Sequence, residues 1–424
     1  MPYLRIAVVV GLAAGLVGLG HFGPHPAPAG TPGPPASLVA PDVTAAAPSR
    51  VQSPTPSGPT VKGIDALTGL TRVEPLPSQI KQTWLPGQIT SQSMAVVGLI
   101  LYYIVDGDRI QSTAVGGNGS RQTLAVAPHC KGINELAAAG NELAYVVTSP
   151  GGPTAQVGAC GGPSPVAWSV WLLDLNGGSP RQVASGVREV TSIDVAEFPI
   201  HLALTESSYA FDRPPSSAAD GPGETVEVHS IEGRLLWSSQ TQTPVSDVML
   251  GGGRLAILTE DAPLVEGLLD LWVSDAGHPR PTRVAQPGSS ASLSPDGSYL
   301  TWDLLPSAGH STSTRQSTVG IAALDSGQVE LLTTLTGSDT PEPLDPTVSS
   351  TGRGPVVAWF ATAPGGTVYP AFRFAASAGG AVLPSLQIPV WMAIEGNTLT
   401  WVAESSDDWS KEVFAVDLSS LGLR

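Results

Sequence analysis

The side chains that most often carry out chemistry are scattered along this chain. Seven histidines occur, none paired with another at the spacing of metal ligands: His21, His25, His129, His201, His229, His278 and His310. His201 begins a predicted strand and His278 lies in a predicted turn. We interpret both as packing or surface residues rather than as catalysts. The histidines therefore predict neither a metal centre nor a catalytic base.

The acidic motifs are equally weak as signs of a site. Asp106-Gly107-Asp108 places two carboxylates around a glycine, which is ordinary turn chemistry, and no full calcium loop follows. The segment from Glu404 to Trp409 predicts a polar loop between strands. No Gly-x-Ser-x-Gly elbow occurs, and no phosphate-cradling glycine-rich loop precedes a helix. The sequence thus predicts no catalytic, cofactor-binding or metal-binding residue and no cofactor.

The chain has ten tryptophans, and these remain as candidates for ligand contact. Three occupy the repeated apolar column described below, where packing accounts for them: Trp302, Trp359 and Trp401. Three others lie off that column: Trp84, Trp391 and Trp409. Because aromatic rings often anchor ligands and partner proteins, the second group predicts a possible ligand surface near one face of the fold.

The elements that would position such residues form an internal repeat. Seven strand-like runs place one residue between two large apolar ones: Leu101-Tyr102-Tyr103, Leu143-Ala144-Tyr145, Leu202-Ala203-Leu204, Leu255-Ala256-Ile257, Leu300-Thr301-Trp302, Val357-Ala358-Trp359 and Leu399-Thr400-Trp401. Successive runs lie about 42 to 59 residues apart, within the range of blade-type repeats. Strand side chains alternate between faces, so the outer pair of each run shares one face. The middle residue is small in six of the seven runs, which fits sheets packed on both sides.

Turn-forming residues divide each unit into two hairpins. Gly140-Asn141, Pro295-Asp296-Gly297 and Glu395-Gly396-Asn397 precede three of the apolar runs. Second hairpins follow, as where the strand from Gly320 to Leu324 turns through Asp325-Ser326-Gly327. Four antiparallel strands per unit, repeated around an axis, predict an all-β propeller. We expect seven blades, with six or eight as alternatives.

The last unit lacks an outer strand, because little chain follows the strand from Glu412 to Leu418. A closed ring would keep an unpaired edge there unless a strand from elsewhere filled the place. We predict that an N-terminal strand, Leu70 to Leu76, completes the last blade, since Pro75 suits an outer edge. The stretch from Gln79 to Gly98 reads as irregular.

Composition and the first residues predict an exported protein. The chain carries 36 Asp and Glu against 20 Lys and Arg, without the basic clusters that bind nucleic acid. Residues 1–29 read as a signal peptide or a retained membrane anchor. Residues 30–60, rich in Pro, Ala, Gly and Ser, predict a disordered tether, and residues 61–424 the propeller. We expect an extracytoplasmic protein, secreted or tethered, that contacts the membrane only through its N-terminal segment.

Two cysteines, Cys130 and Cys160, are present. In an oxidising compartment an even pair predicts one disulfide. The bridge would close a loop around the Pro- and Gly-rich insert from Pro150 to Pro165.

Two stretches resemble repeats of the TolB-like propeller family, also described as WD40-like or PD40 repeats. Residues 293–302 read Leu-Ser-Pro-Asp-Gly-Ser-Tyr-Leu-Thr-Trp, which is similar to the family's Ser-Pro-Asp-Gly signature. Residues 174–183 resemble the second hairpin of the same unit. The resemblance implies a propeller over residues 61–424, with Asp296 in a structural turn. It implies little about function, because TolB-like blades also occur in prolyl-oligopeptidase-type enzymes, which add a separate hydrolase domain.

Two classes of function remain open. The first hypothesis is a non-enzymatic exported propeller that binds a protein, peptide or cell-envelope ligand on one face. The second is a hydrolase or lyase whose site several blades assemble at the central channel. Asp, Glu, His and Arg clustered at one channel mouth would favour the enzyme. Ser, Thr and apolar groups with exposed aromatic rings would favour binding.

Overall fold

The structure, a computed structural model, describes residues 60–64, 70–75, 78–85, 89–149, 166–188, 200–215, 223–260, 269–304, 318–333, 344–362, 368–374, 380–384, 388–404 and 410–422. The predicted signal, nearly all of the predicted tether, Cys160 and Trp409 lie outside these residues. The described residues include no helix with both the length and the hydropathy of a membrane span.

Thirty strands in the described part of the chain form seven sheets, which are the blades of a propeller. Three strands precede the first blade: β1 (Thr60–Ile64), β2 (Thr71–Glu74) and β3 (Ile80–Leu85). Blade 1 contains β4 (Ile89–Val97), β5 (Ile100–Val105), β6 (Arg109–Ala114) and β7 (Arg121–Val126). Blade 2 contains β8 (Gly132–Ala139), β9 (Glu142–Ser149), β10 (Val166–Asp174) and β11 (Arg181–Arg188). Blade 3 contains β12 (Leu202–Leu204), β13 (Ser208–Arg213), β14 (Thr225–Ser230) and β15 (Leu235–Gln240).

The remaining blades follow the same order from the axis outward. Blade 4 contains β16 (Val245–Gly251), β17 (Arg254–Glu260), β18 (Leu269–Asp275) and β19 (Thr282–Ala285). Blade 5 contains β20 (Ala291–Leu293), β21 (Tyr299–Leu304), β22 (Thr318–Ala323) and β23 (Gln328–Thr333). Blade 6 contains β24 (Leu344–Thr351), β25 (Gly354–Thr362), β26 (Val368–Phe374) and β27 (Ala381–Val382). Blade 7 contains β28 (Ile388–Glu395), β29 (Thr398–Glu404), β30 (Lys411–Asp417) and the early strand β3, and a short 3-10 helix, Leu418–Leu421, follows β30. The prediction of an all-β propeller with seven four-stranded antiparallel blades is confirmed.

The apolar core is divided among the interfaces between neighbouring blades. Leu143 and Tyr145 of β9 pack toward blade 1, whereas Ala144 between them packs toward blade 3. Leu255 and Ile257 of β17 likewise pack toward blade 3, and Ala256 toward blade 5. The alternation predicted from the runs is therefore confirmed. A small middle residue lets a blade approach its neighbour on that face.

One of the predicted runs was assigned to the wrong strand. Leu202-Ala203-Leu204 forms the short innermost strand β12, and the run at the second-strand position of blade 3 is Tyr209-Ala210-Phe211. Both segments alternate in the same way, because adjacent antiparallel strands of one buried sheet face the same two neighbours. Local pattern alone could not separate them.

The ring is closed by an N-terminal strand, as predicted, but not by the predicted one. β3 pairs antiparallel with β30 and completes blade 7. The segment predicted for this role contains β2, which instead pairs in parallel with β27 and extends blade 6, with β1 at its edge. β3 closely precedes blade 1, so it can reach the adjacent blade 7 through a short connection. The stretch read as irregular therefore contains both β3 and β4.

The predicted turns between first and second strands are confirmed, and they bind the blades to one another. Asp296 of blade 5 accepts hydrogen bonds from the hydroxyls of Ser294 at 2.7 Å, Ser298 at 2.9 Å and Ser350 of blade 6 at 2.6 Å. On the other side, the Gly252 N–H of blade 4 donates to the Pro295 carbonyl at 3.0 Å. Hydrogen bonds also join the turns of blades 6 and 7 and of blades 7 and 1. We refer to this end of the ring as the turn end.

Candidate functional site

The first strands of the seven blades line the axis of the ring. Each lies at the inner edge of its sheet, and successive first strands contact one another around the ring. Because all seven run in the same direction along the axis, their first residues meet at one end of the channel. The turns that follow these strands form the turn end, so the first residues lie at the opposite end. We call the group formed there by Glu135, His201, Asp247, Asp345 and Trp391 the channel mouth.

A β-bulge occurs at this level in several of the first strands. The pairing register shifts at Glu135 in β8, at Asp247 in β16, around Asp345 in β24 and at Trp391 in β28. A bulge interrupts the alternation of side chains and can redirect a side chain away from the sheet neighbours. Asp345 also has a positive φ of 51°, which is uncommon for a residue other than glycine. Polar side chains in otherwise apolar strands are thereby directed to the channel.

A cavity of about 320 Å³ opens at the mouth between blades 4 and 7. Its lining combines carboxylates, hydroxyls and apolar groups: Asp247, Ser292, Asp345, Thr347, Trp391 and Met392. Trp391 is half-buried, and it also packs against the apolar cluster between blades 7 and 1. The cavity therefore offers an aromatic wall close to two acidic groups.

The other side of the mouth carries His201, which is bound to a buried aspartate. The His201 backbone N–H donates to Asp212 Oδ1, and His201 Nδ1 lies 3.6 Å from Asp212 Oδ2. The Asp212 side chain is 1% exposed and that of His201 is 14% exposed. This arrangement fixes the histidine at the channel wall, with its ring next to a charge that burial shields from water.

The mouth shifts the protonation of its members. The pKa of Glu135 is raised to about 8, mainly by burial. The positive charge of His201 lowers this pKa, and the negative charges of Asp247 and Asp212 raise it further. Burial lowers the pKa of His201, but Asp212, Glu135 and Asp247 outweigh it and bring that pKa to about 9. Burial also raises the pKa of Asp247, and it raises the pKa of Asp345 with contributions from Asp303 and Asp247. These groups therefore act on one another across several blades.

Not every carboxylate near the mouth is available to a ligand. Asp303 of β21 is 2% exposed and accepts hydrogen bonds from the Ser289 N–H at 2.9 Å, the Ser289 hydroxyl at 2.7 Å and the Ser290 N–H at 2.8 Å. Asp303 thus holds the start of the first strand of its own blade, as Asp212 does in blade 3. Glu135 differs, because none of the described residues donates a hydrogen bond to its carboxylate.

The two tryptophans of the predicted ligand surface that the structure describes do not lie together. Trp391 is at the channel mouth, on the innermost strand of blade 7. Trp84 is 56% exposed on β3, the outermost strand of the same blade. Trp409 lies outside the described residues. The structure thus separates the two described members of the predicted surface, which occupy opposite edges of one sheet.

The other sequence motifs lie in turns. Asp106, with a φ of 53°, and Asp108 both form ion pairs with Arg109, as in an ordinary hairpin turn. No group of three possible metal ligands is found among the described residues. His278 lies in a turn beside Asp275. Cys130 is not a free thiol, but Cys160 lies outside the described residues, so the pairing of the two stays a prediction.

Sequence reasoning missed four of the five members of the mouth. His201 was interpreted as a packing or surface residue, and Glu135, Asp247 and Asp345 were not identified at all. A signal was present, since each of these three acids is the second, third or fourth residue of its strand, as seen in β24, β16 and β8. An aligned comparison of the first strands of all blades could have found it. A search for local motifs could not, because the four residues come from four separate blades.

Comparison with known proteins gives matches in structure but not in sequence. No protein-family model matches this chain, and no curated protein matches it. The β-propeller domain of the Trilobed protease from Pyrococcus furiosus matches with a TM-score of 0.50 at 9% identity, covering 80% of this chain and 93% of that one. A prolyl endopeptidase matches with a TM-score of 0.50 at 10% identity, covering 81% of this chain and 49% of that one.

TolB from Acinetobacter baumannii is also similar, with a TM-score of 0.38 at 13% identity. The match covers 73% of this chain, which spans 60% of the length of that TolB structure. At such low identity the similarities concern the fold alone. The blades described above, together with the two matches at a TM-score of 0.50, identify the chain as a β-propeller.

Proposed function

We propose that this protein is an exported, non-enzymatic propeller that binds a peptide or protein ligand at the channel mouth. The ligand inserts a basic group, such as a lysine or arginine side chain, between the mouth carboxylates. The observation that carries this proposal is the convergence of Glu135, Asp247 and Asp345 beside a cavity with an aromatic wall.

The distribution of charge supports a cationic ligand group. The seven first strands contain no lysine or arginine, so His201 is the basic residue that bears on the mouth acids. The chain as a whole has a formal net charge of −16. Carboxylates held in a concave, protein-lined site raise the local concentration of cations.

The apolar part of the cavity supports a long basic side chain rather than a bare ion. Trp391 and Met392 would pack against the methylene groups of such a side chain. The indole face would also attract a guanidinium or ammonium group. Asp247 and Asp345 would then receive the charged end.

The test is calorimetric titration of the purified protein with a capped arginine peptide. A matched peptide with citrulline in place of arginine keeps the shape and removes the charge. We expect the arginine peptide to bind and the citrulline peptide to bind at least about tenfold more weakly. Asp345→Asn is expected to lower arginine-peptide affinity about tenfold, because it removes one facing charge.

Glu330→Gln is the control variant, since Glu330 lies on the outer strand of blade 5, where it pairs with Arg373 and is 57% exposed. Its affinity for the arginine peptide should match that of the wild type. Equal binding of both peptides, or an unchanged affinity in Asp345→Asn, would contradict the proposal.

A second candidate function rests on Glu135 and His201. An acidic group with a pKa near 8 next to a charged histidine has the character of an acid–base pair. A propeller hydrolase or lyase would use such a pair on a substrate in the channel. Mass spectrometry of envelope-derived peptides and oligosaccharides incubated with the protein would test it. Product formation that is lost in Glu135→Gln would replace the binding proposal by an enzymatic one.

Export and tethering form part of the proposal. The apolar run from Ile6 to Leu19 and the Pro-rich segment after it support a signal or anchor followed by a spacer. N-terminal sequencing of the mature protein and fractionation of the producing cell would test this. A protein that keeps Met1 and stays in the cytoplasm would contradict it.

A further inference from the structure

We propose that Glu135 and His201 make ligand capture at the channel mouth dependent on pH, with a cationic group binding more tightly as the pH rises from about 7 to about 9. This inference rests on the proposed function and adds its regulation. It concerns the blade 2 to blade 4 side of the mouth, opposite the tryptophan wall.

The geometry places four titratable groups on three successive blades. Glu135 lies at the bulge of β8 in blade 2, and His201 directly precedes β12 in blade 3. Asp212 follows on β13, and Asp247 lies at the bulge of β16 in blade 4. The first strands β8, β12 and β16 are in contact in this order. His201 is therefore the positive group among three carboxyl groups.

The four groups differ in how firmly they are held. Asp212 accepts a hydrogen bond from the His201 backbone N–H and is almost completely buried, so its side chain is fixed in the channel wall. Asp247 accepts the Val248 N–H at 2.7 Å. No described residue donates a hydrogen bond to the Glu135 carboxylate, whereas His201 Nδ1 lies 3.6 Å from Asp212 Oδ2, at ion-pair distance. Glu135 is thus the member whose proton can change without breaking a contact of the wall, and loss of the His201 proton gives up the ion pair with Asp212.

No other charge on the neighbouring strands competes with this group. The strands packed against β8 and β12 are β4, β5, β9, β13 and β16. Their tyrosines have raised pKa values and stay uncharged over this range: Tyr102, Tyr103, Tyr145 and Tyr209. The two remaining charges act on opposite charges elsewhere, since Arg181 attracts Glu142 of β9, and Arg213 of β13 pairs with Glu227.

The direction of the effect follows from the protonation states. At about pH 7, Glu135 is neutral and His201 is charged, because the pKa of each lies above that pH. Raising the pH first ionises Glu135 and then neutralises His201. Each step makes the mouth more negative by one charge. A cationic ligand group therefore binds the deprotonated form better, and its binding releases protons.

The size of the effect follows from mass action. If only the ionised form of Glu135 binds, and its pKa is about 8, the apparent affinity rises roughly tenfold between about pH 7 and about pH 9. Neutralisation of His201 adds to the rise at the upper end. A flat pH dependence would mean that neither proton is linked to binding.

The experiment is calorimetric titration of the full chain with the capped arginine peptide at about pH 7, 8 and 9. Arginine is chosen because its side chain stays charged throughout. The wild type is expected to bind roughly tenfold more tightly at the highest pH. Repeating the titration in buffers of different ionisation enthalpy should reveal the release of about one proton per peptide at about pH 7 and of about half a proton at about pH 8.

Glu135→Gln is the diagnostic variant, because it keeps the shape and removes the titrating proton. We expect its affinity to stay near the low-pH value of the wild type and to change less than about threefold up to about pH 8. If the wild-type affinity is constant over this pH range and no protons are released, the proposed pH dependence is wrong, although the binding site can still exist. If the arginine peptide does not bind at any pH, both the proposed function and its pH dependence are wrong. If Glu135→Gln does not fold, proton release by the wild type still decides between these outcomes.

Discussion

The two ends of the ring use the same chemical group in opposite ways. At the turn end, the Asp296 carboxylate is largely exposed to solvent but accepts several hydrogen bonds. Its slight burial raises the pKa, but hydrogen bonds from Ser350, Ser294 and Ser298 outweigh this effect and lower the pKa to about 2. At the channel mouth, Glu135 is surrounded by protein without such donors, and burial raises its pKa to about 8. The carboxylate at the turn end is thus ionised and hydrogen-bonded at neutral pH, whereas the acidic group at the mouth has no hydrogen-bond donor among the described residues.

The difference indicates where ligand binding can occur. A group whose hydrogen-bonding capacity is already used by its neighbours gains little from a ligand. An acidic group without donors, such as that of Glu135, still has its acceptor capacity free for a ligand. The turn end is therefore interpreted as the structural end of this propeller, and the proposed function assigns ligand binding to the mouth.

The largest expected effect tests the structural role of the turn end. Gly252 has a φ of +53°, and a Cβ there would lie 1.8 Å from the Asp296 carbonyl oxygen of the next blade. Gly252→Ala is expected to lower the free energy of unfolding by about 3 kcal/mol or more, through backbone strain and the clash between blades. Urea denaturation followed by tryptophan fluorescence measures it.

The neighbouring Gly253 is the matched control. It also has a positive φ, of +79°, but a Cβ there would meet no atom within 4 Å. Gly253→Ala should therefore show the backbone strain alone, about 1 kcal/mol. Equal losses in the two variants would contradict the close contact between the turns of blades 4 and 5.

The next effect separates the two edges of blade 7. Trp391→Ala removes the aromatic wall of the mouth cavity and is expected to weaken arginine-peptide binding about fivefold to tenfold. Trp84→Ala removes an exposed ring on the outer strand and should change the affinity less than about twofold. Thermal unfolding of both variants shows whether each remains folded. A larger effect of Trp84→Ala would place the ligand surface on the outside of the ring.

The smallest effect concerns the charge of Asp296. Asp296→Asn weakens its hydrogen bonds with three serines and is expected to cost about 1 kcal/mol, because the group is exposed to solvent. The pKa of Asp296 is lowered, so its contribution is present above about pH 4 and is lost as the pH falls toward about 2. Chemical denaturation at about pH 7 and pH 3 should show a smaller difference between variant and wild type at the lower pH. Peptide binding should be unaffected, and a change in affinity would argue against separate roles for the two ends.

Much of the fold was predictable because its signals are local. The alternation in Leu143-Ala144-Tyr145 and the turn at Pro295-Asp296-Gly297 are properties of a few adjacent residues. Repetition of such signals seven times favoured seven blades over six or eight, and the structure has seven. The site was predicted only in part, since Trp391 was identified from its place off the apolar column but was grouped with Trp84, which lies at the opposite edge of the blade.

Side-chain alternation and turn chemistry act over short distances, so the blades, their turns and the need for an N-terminal closing strand are predictable from the amino-acid sequence. The choice of β3 rather than β2 as that strand depends on which blade each segment reaches, which is a property of the folded ring. The set of residues at the channel mouth is likewise a property of the folded ring. Bulges redirect Glu135, Asp247 and Asp345 out of the apolar pattern, and closure of the ring brings together residues that lie roughly a hundred positions or more apart in the chain.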